Sequence, residues 1–147
     1  MSIFRIQIKL VLIIMFCSLG FITCGYENSA EGVAEEFLYR YFIELNQKGA
    51  LELSTGLAKD KLREEIELVQ GIRSNPELDL SQAKPFIDYK MVNSHRRSDK
   101  SIAFFYDVSI KSKGGEKNER QVVLNMVKIA GKWKVKNFDT FTADKPE

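Results

Sequence analysis

The chain has 147 residues, 22 basic against 20 acidic, a formal net charge of +2 and 44% hydrophobic residues. That suffices for one domain with its own core and is too apolar for a disordered tail. Cys17, Cys24 and His95 are its only thiols and imidazole, which excludes a disulfide framework or a Cys/His zinc centre in the region after residue 24.

Residues 1–23 are expected to be a targeting segment rather than part of the fold. Arg5 and Lys9 give a positive start, residues 10–16 are uninterrupted apolar, and no acidic residue precedes Glu27. Phe21-Ile22-Thr23-Cys24-Gly25 follows, and it resembles a bacterial lipobox, in which the cysteine after the apolar run becomes a lipidated N-terminus. Cys17 fits less well, because bulky Phe16 precedes it. The resemblance implies lipidation at Cys24 and a membrane lipid as partner. The alternatives are an uncleaved anchor, for which the 17 residues 10–26 are marginal, and cleavage without lipid. Each places the domain in the cell envelope, on the extracytoplasmic side. Residues 24–29 are then the lipidated cysteine and a short tether, whose five residues after Cys24 reach at most ~17 Å.

Removing residues 1–23 leaves 124 residues with 20 basic and 20 acidic side chains. Residues 27–80 carry −6 and residues 81–147 carry +6. Two layers that complement each other would explain this, as would a basic sheet face that meets anionic lipid or an acidic partner. Overall neutrality in an exported domain argues against nucleic acid.

A first helix is expected over residues 30–47, capped by Asn28 or Ser29, with Val33, Phe37 and Tyr41 on a wide apolar stripe. Lys48-Gly49 breaks it. A short second helix covers residues 50–54 with Leu51 and Leu53 inward, and a third covers 57–72 with Leu62, Ile66, Val69 and Ile72 inward and Glu64, Glu65 and Glu67 outward. Residues 74–84 read as a polar loop around Asn75-Pro76.

Four strands follow. The first is residues 86–93, with Ile87, Tyr89 and Met91 on one face, and the charged turn 95–100 ends it. The second, residues 101–112, alternates Ile102, Phe104, Tyr106, Val108 and Ile110. A Gly114-Gly115 turn leads to the terminal hairpin, residues 121–141. A three-residue loop Ile129-Ala130-Gly131 is expected there, because it puts only Gly131 in the left-handed region. Trp133 and Val135 share a face, and a bulge near Asn137 would return Phe138 to it. Residues 143–147 are a tail.

Helices followed by an antiparallel meander make an α+β domain over residues 30–142. VAEEFLYRYFIELNQKGALELS (33–54) and AGKWKVKNF (130–138) resemble motifs of the nuclear transport factor two-like superfamily. The resemblance implies N-terminal helices packed on a curved four-stranded antiparallel sheet, a cystatin-like cone. It also brings the superfamily's isomerases and dehydratases into view, which set a strand Asp or His base against a helix Tyr. Tyr41 with either Asp107 or Asp139 is the corresponding pair here, but alternation turns Asp107 away from the apolar face of its strand.

The preferred reading is therefore a membrane-anchored lipoprotein with a non-catalytic domain that binds a ligand or protein. The alternatives are a pocket enzyme of the isomerase or dehydratase type and a structural accessory subunit of an envelope complex. The ligand-binding candidates are Tyr41, Phe37, Tyr106 and Trp133, which would line the cone. No catalytic residue, metal ligand or cofactor is assigned, and His95 reads as a solvated loop residue. Strand 121–129 is apolar on both faces, and Phe105 adds to its outer one. That outer face is expected to meet a second copy of the chain or another protein. Lys132, Lys134 and Lys136 read as a solvated, aggregation-resistant edge.

Overall fold

The structure, a computed structural model, describes residues 28–73 and 85–142. The expected targeting segment, the Cys24 lipidation site, most of the tether, the Asn75-Pro76 loop and the tail lie outside the described residues.

Helix α1 spans Ala30–Leu38. The Ser29 hydroxyl caps it by accepting from the Gly32 N–H at 2.9 Å, and Glu31 sits in the first turn, where the dipole favours a carboxylate. The single long helix expected over 30–47 is not what forms. A π-helical turn over Tyr39–Ile43 succeeds α1, and Leu45 then enters the left-handed region at φ 55°. The Asn46 N–H donates back to the Arg40 carbonyl at 2.8 Å, across six residues, which closes the helix end.

Helix α2 spans Gln47–Glu52, starting earlier than expected. Asn46 is the reason: its side-chain oxygen accepts from the Gly49 N–H at 2.9 Å and caps the new helix. Gly49 therefore does not break a helix. It is buried inside one, and a Cβ there would lie 2.7 Å from Asn46 Nδ2 and 3.0 Å from Arg40 Cδ. Helix α3 spans Gly56–Arg73 and buries Ala58 and Leu62.

The sheet is a four-stranded antiparallel meander in the order β1-β2-β3-β4. Its strands are β1 Phe86–Ser98, β2 Ser101–Lys111, β3 Lys117–Ile129 and β4 Lys132–Thr142. Two boundaries move outward from expectation by several residues, the end of β1 and the start of β3. The stretch that reads as a charged turn is strand: His95 pairs with Ala103 and Arg96 with Ile102, leaving only Asp99 and Lys100 to turn. Polar residues suit an edge strand exposed on both sides, so composition misled there. Likewise β3 begins at Lys117, four residues before the apolar run.

The β3–β4 hairpin also corrects the expectation. Ile129 pairs with Lys132, so the loop has two residues, and both are left-handed: Ala130 at φ 48° and Gly131 at φ 81°. The match between this turn's twist and the strands' twist outweighs the strain on Ala130. The expected bulge does occur. Pairing skips Lys136, between Met126↔Val135 and Asn125↔Asn137, so Trp133, Val135 and Phe138 are all buried.

The core lies between the two layers. Val33, Ala34, Phe37 and Leu38 of α1 meet Phe104, Tyr106 and Val108 of β2, Val122, Leu124 and Met126 of β3, and Val135 and Phe138 of β4. The free edge of β4 is closed by the α2–α3 connection. The Thr55 N–H donates to the Val135 carbonyl at 2.8 Å, and the Val135 N–H to the Leu53 carbonyl at 2.9 Å. Lys61 of α3 seals the same edge, with Nζ 2.8 Å from the Phe138 carbonyl, 3.0 Å from Asn137 Oδ1 and 2.9 Å from Asp139 Oδ1. This ion pair between the layers runs against the overall asymmetry: the helix supplies the cation and the sheet the anion.

Candidate functional site

The four residues expected to line the cone belong to its packing. Phe37 and Tyr106 are fully buried, Trp133 is 9% exposed, and Tyr41 is half-buried. Phe37 stacks on Tyr41 with centroids 5.7 Å apart and lies 5.3 Å from Phe138, and Tyr41 lies 5.1 Å from Phe138. Tyr106 packs against Phe104 and Tyr89 at 6.3 and 6.2 Å. Aromatic rings at these separations attract one another beyond their burial, and together they fill the interior.

Tyr41 makes one polar contact that the sequence did not announce. Its hydroxyl donates to Glu65 Oε1 at 2.9 Å. Glu65 is therefore half-buried beside Tyr41 of the π-helical turn rather than outward like Glu64 and Glu67. Burial, then the Glu65 carboxylate and the hydrogen bond to it, holds the Tyr41 phenol well above its ordinary pKa. The sheet carboxylates are placed otherwise. Asp107 is exposed on the outer face, and Asp139 is held by Lys61 and by Asn137 Nδ2 at 2.8 Å. The structure thus pairs Tyr41 with a carboxylate, but one on α3 rather than on a strand.

A groove of about 530 Å³ opens between α1 and the inner side of β1. Asn28, Gly32, Glu35, Glu36, Tyr39 and Arg40 form its helical wall, and Leu53 and Tyr89 complete it. The geometry follows from the helix. Val33, Ala34, Phe37 and Leu38 face the core, which turns Glu35, Glu36 and Tyr39 to the opposite side. Arg40 folds back along this wall. Its Nε meets Glu36 Oε1 at 2.6 Å, and its Nη1 lies 3.2 Å from both Glu52 Oε2 and the Gly49 carbonyl. The Glu36 hydrogen bond leads the effects that raise the Arg40 pKa, so its charge is fixed. Burial raises the Tyr89 phenol, and Glu35, Glu36, Tyr39 and Asp88 add to the effect in that order.

Sequence reasoning placed Tyr89 on the inward face of its strand but found none of the groove's helical wall. The signal was the acidic pair Glu35-Glu36 one turn before Tyr39-Arg40. It reads as an ordinary solvated face until β1 is set beside it. A second, smaller hollow of about 250 Å³ lies over Asp88, Lys90, Asp107, Ser109 and Glu119. Among the described residues no cluster of three or more His, Cys, Asp or Glu could hold a metal, and no helix is long and apolar enough to cross a membrane.

No family model and no curated protein matches this chain. Solved structures do. A ketosteroid isomerase-like protein from Erwinia carotovora matches over 84% of this chain and 100% of its own, with TM-score 0.58 at 14% identity. A Nostoc punctiforme domain of unknown function with a cystatin-like fold matches over 84% and 81%, with TM-score 0.59 at 6% identity. The fold is the nuclear transport factor two-like, cystatin-like cone. The same cone covers 85% of this chain in a putative calcium/calmodulin-dependent protein kinase II association domain from Xanthomonas campestris, 95% of which is matched, at TM-score 0.51 and 13% identity. These identities speak for shared architecture and leave the chemistry to be argued from this chain's own residues.

Proposed function

We propose that this protein is a lipoprotein held on the extracytoplasmic side of a membrane through Cys24, with a non-catalytic cone domain that binds at its surface. The observation that carries the binding reading is the filled interior: Phe37, Tyr106, Leu124 and Val135 are 0% exposed and Phe138 is 5% exposed. Space for a ligand lies instead in the α1–β1 groove. The targeting pattern and the Cys24 lipobox support the anchor.

Intact-mass measurement of the membrane-extracted protein tests the anchor. A diacylglyceryl adduct on Cys24 is expected. Unmodified chain that still carries residues 1–23 would overturn it.

The outer sheet face is assigned to a second copy of the chain. There Phe105 pairs with Val123, and Val127 is half-buried like both of them. Ile129 is 48% exposed. An apolar row of this kind, broken only by Asn125, can meet its own copy about a two-fold axis.

One observation favours a second reading, a pocket enzyme of the isomerase or dehydratase type: the 2.9 Å contact between Tyr41 and Glu65. A phenol raised above its ordinary range is poorly tuned for proton transfer near neutral pH, which ranks this reading second. Turnover of an enolisable ketone that disappears in Glu65→Gln would establish it.

A further inference from the structure

We infer that the α1–β1 groove binds an ammonium group, primary or quaternary, supplied by a lipid headgroup or by a free amine. The argument begins with the walls. Tyr39 and Tyr89 present two phenol rings, whose faces attract cations. Glu35 and Glu36 add carboxylates beside them, and Leu53 supplies an apolar surface for the substituents on nitrogen.

The groove's cation does not reverse this field. Arg40 is committed to Glu36, Glu52 and the Gly49 carbonyl, so its guanidinium offsets carboxylates rather than receiving an anion. The wall thus carries two glutamates, one of them already bonded to Arg40, beside the two phenol rings. On the opposite wall burial chiefly raises the Tyr89 phenol, and Glu35 and Glu36 are the first charges to add to that effect. About 530 Å³ admits an ammonium with its substituents, and the π-helical turn that begins at Tyr39 is a feature that recurs at functional sites.

Position identifies one source. Asn28 lies on the groove's rim, four residues after Cys24. Four extended residues span at most ~14 Å, so a lipid on Cys24 would keep the rim at headgroup depth. This clause rests on the anchor proposed above; the walls do not.

The test uses the full-length protein in maltoside micelles and follows ligand signals by saturation-transfer NMR. Tetramethylammonium should bind, and its neutral counterpart tert-butanol should not. Glu35→Gln and Tyr89→Leu should each weaken tetramethylammonium about fivefold or more, while Glu64→Gln on the exposed side of α3 should leave it unchanged. Glu35→Gln keeps the side chain's size, so a folding defect in Tyr89→Leu would not remove the test. Displacement of tetramethylammonium by short-chain phosphatidylethanolamine but not phosphatidylglycerol identifies the headgroup as the source. Displacement by free ethanolamine alone identifies a soluble amine. Equal binding of tert-butanol, or unchanged affinity in both groove variants, would overturn the inference. The mass of Cys24 is read on the same sample, so a missing lipid and an inert groove are separate results.

Discussion

Ala130 carries a side chain in a backbone region that usually belongs to glycine or asparagine. A left-handed Ala costs roughly 1 kcal/mol. Asn-Gly is the favoured pair for such a two-residue turn, so Ala130→Asn should raise the unfolding free energy by about 0.5–1 kcal/mol in denaturant titration. A three-residue loop with Ala130 right-handed would show no gain. Tyr41 offers a second residue-level test. Tyr41→Phe removes the donor to Glu65 and should cost about 1 kcal/mol near neutral pH. The sign of the pH dependence follows from the raised phenol. Its contribution is fully present below the unfolded pKa of about 10 and is lost as pH rises toward the higher folded value. The wild type should therefore lose stability faster than Tyr41→Phe above pH ~10, which melting curves at stepped pH would show.

At the scale of elements, the edge of β4 depends on α3. Lys61 alone reaches three acceptors there and lies 5.4 Å over the Phe138 ring. It is 35% exposed, so water screens part of that energy. Lys61→Met should still cost about 1 kcal/mol and speed hydrogen exchange at the Val135 amide, which pairs with Leu53 on that edge. Unchanged exchange would show that the 53–55 bridge protects the edge alone. The same elements show what the sequence could reveal. Strict alternation in β2 and the Trp133, Val135, Phe138 pattern made the sheet, its order and even the Lys136 bulge legible. The helix layer was less so. The π turn at Tyr39–Ile43 follows no periodicity rule, because Tyr41 and Phe42 are apolar enough to satisfy either an α or a π phase. Gly49 read as a helix breaker because propensity speaks of backbone entropy, whereas its place is set by close approach of Asn46 and Arg40. The groove went unread for a related reason. It exists only where the polar side of α1 faces Tyr89, a juxtaposition of residues some fifty positions apart.

For the whole molecule, the cone is a packed body with binding surfaces outside it. Its outer face gives one test of assembly. Light scattering of the micelle-extracted protein should give a dimer, and Val123→Lys should give a monomer with an unchanged melting temperature, since Val123 faces away from the core. A monomeric wild type would remove the second copy from that face. The filled interior has a direct test in one pair of variants measured by denaturant unfolding. Phe37 is fully buried among Tyr41 and Phe138, so Phe37→Ala should cost about 3–5 kcal/mol. Tyr39, 45% exposed on the groove side of the adjoining π-helical turn, should cost under about 1 kcal/mol when changed to Ala. A Phe37→Ala variant within about 1 kcal/mol of wild type would mean a hollow cone, and would contradict the placement of binding outside it.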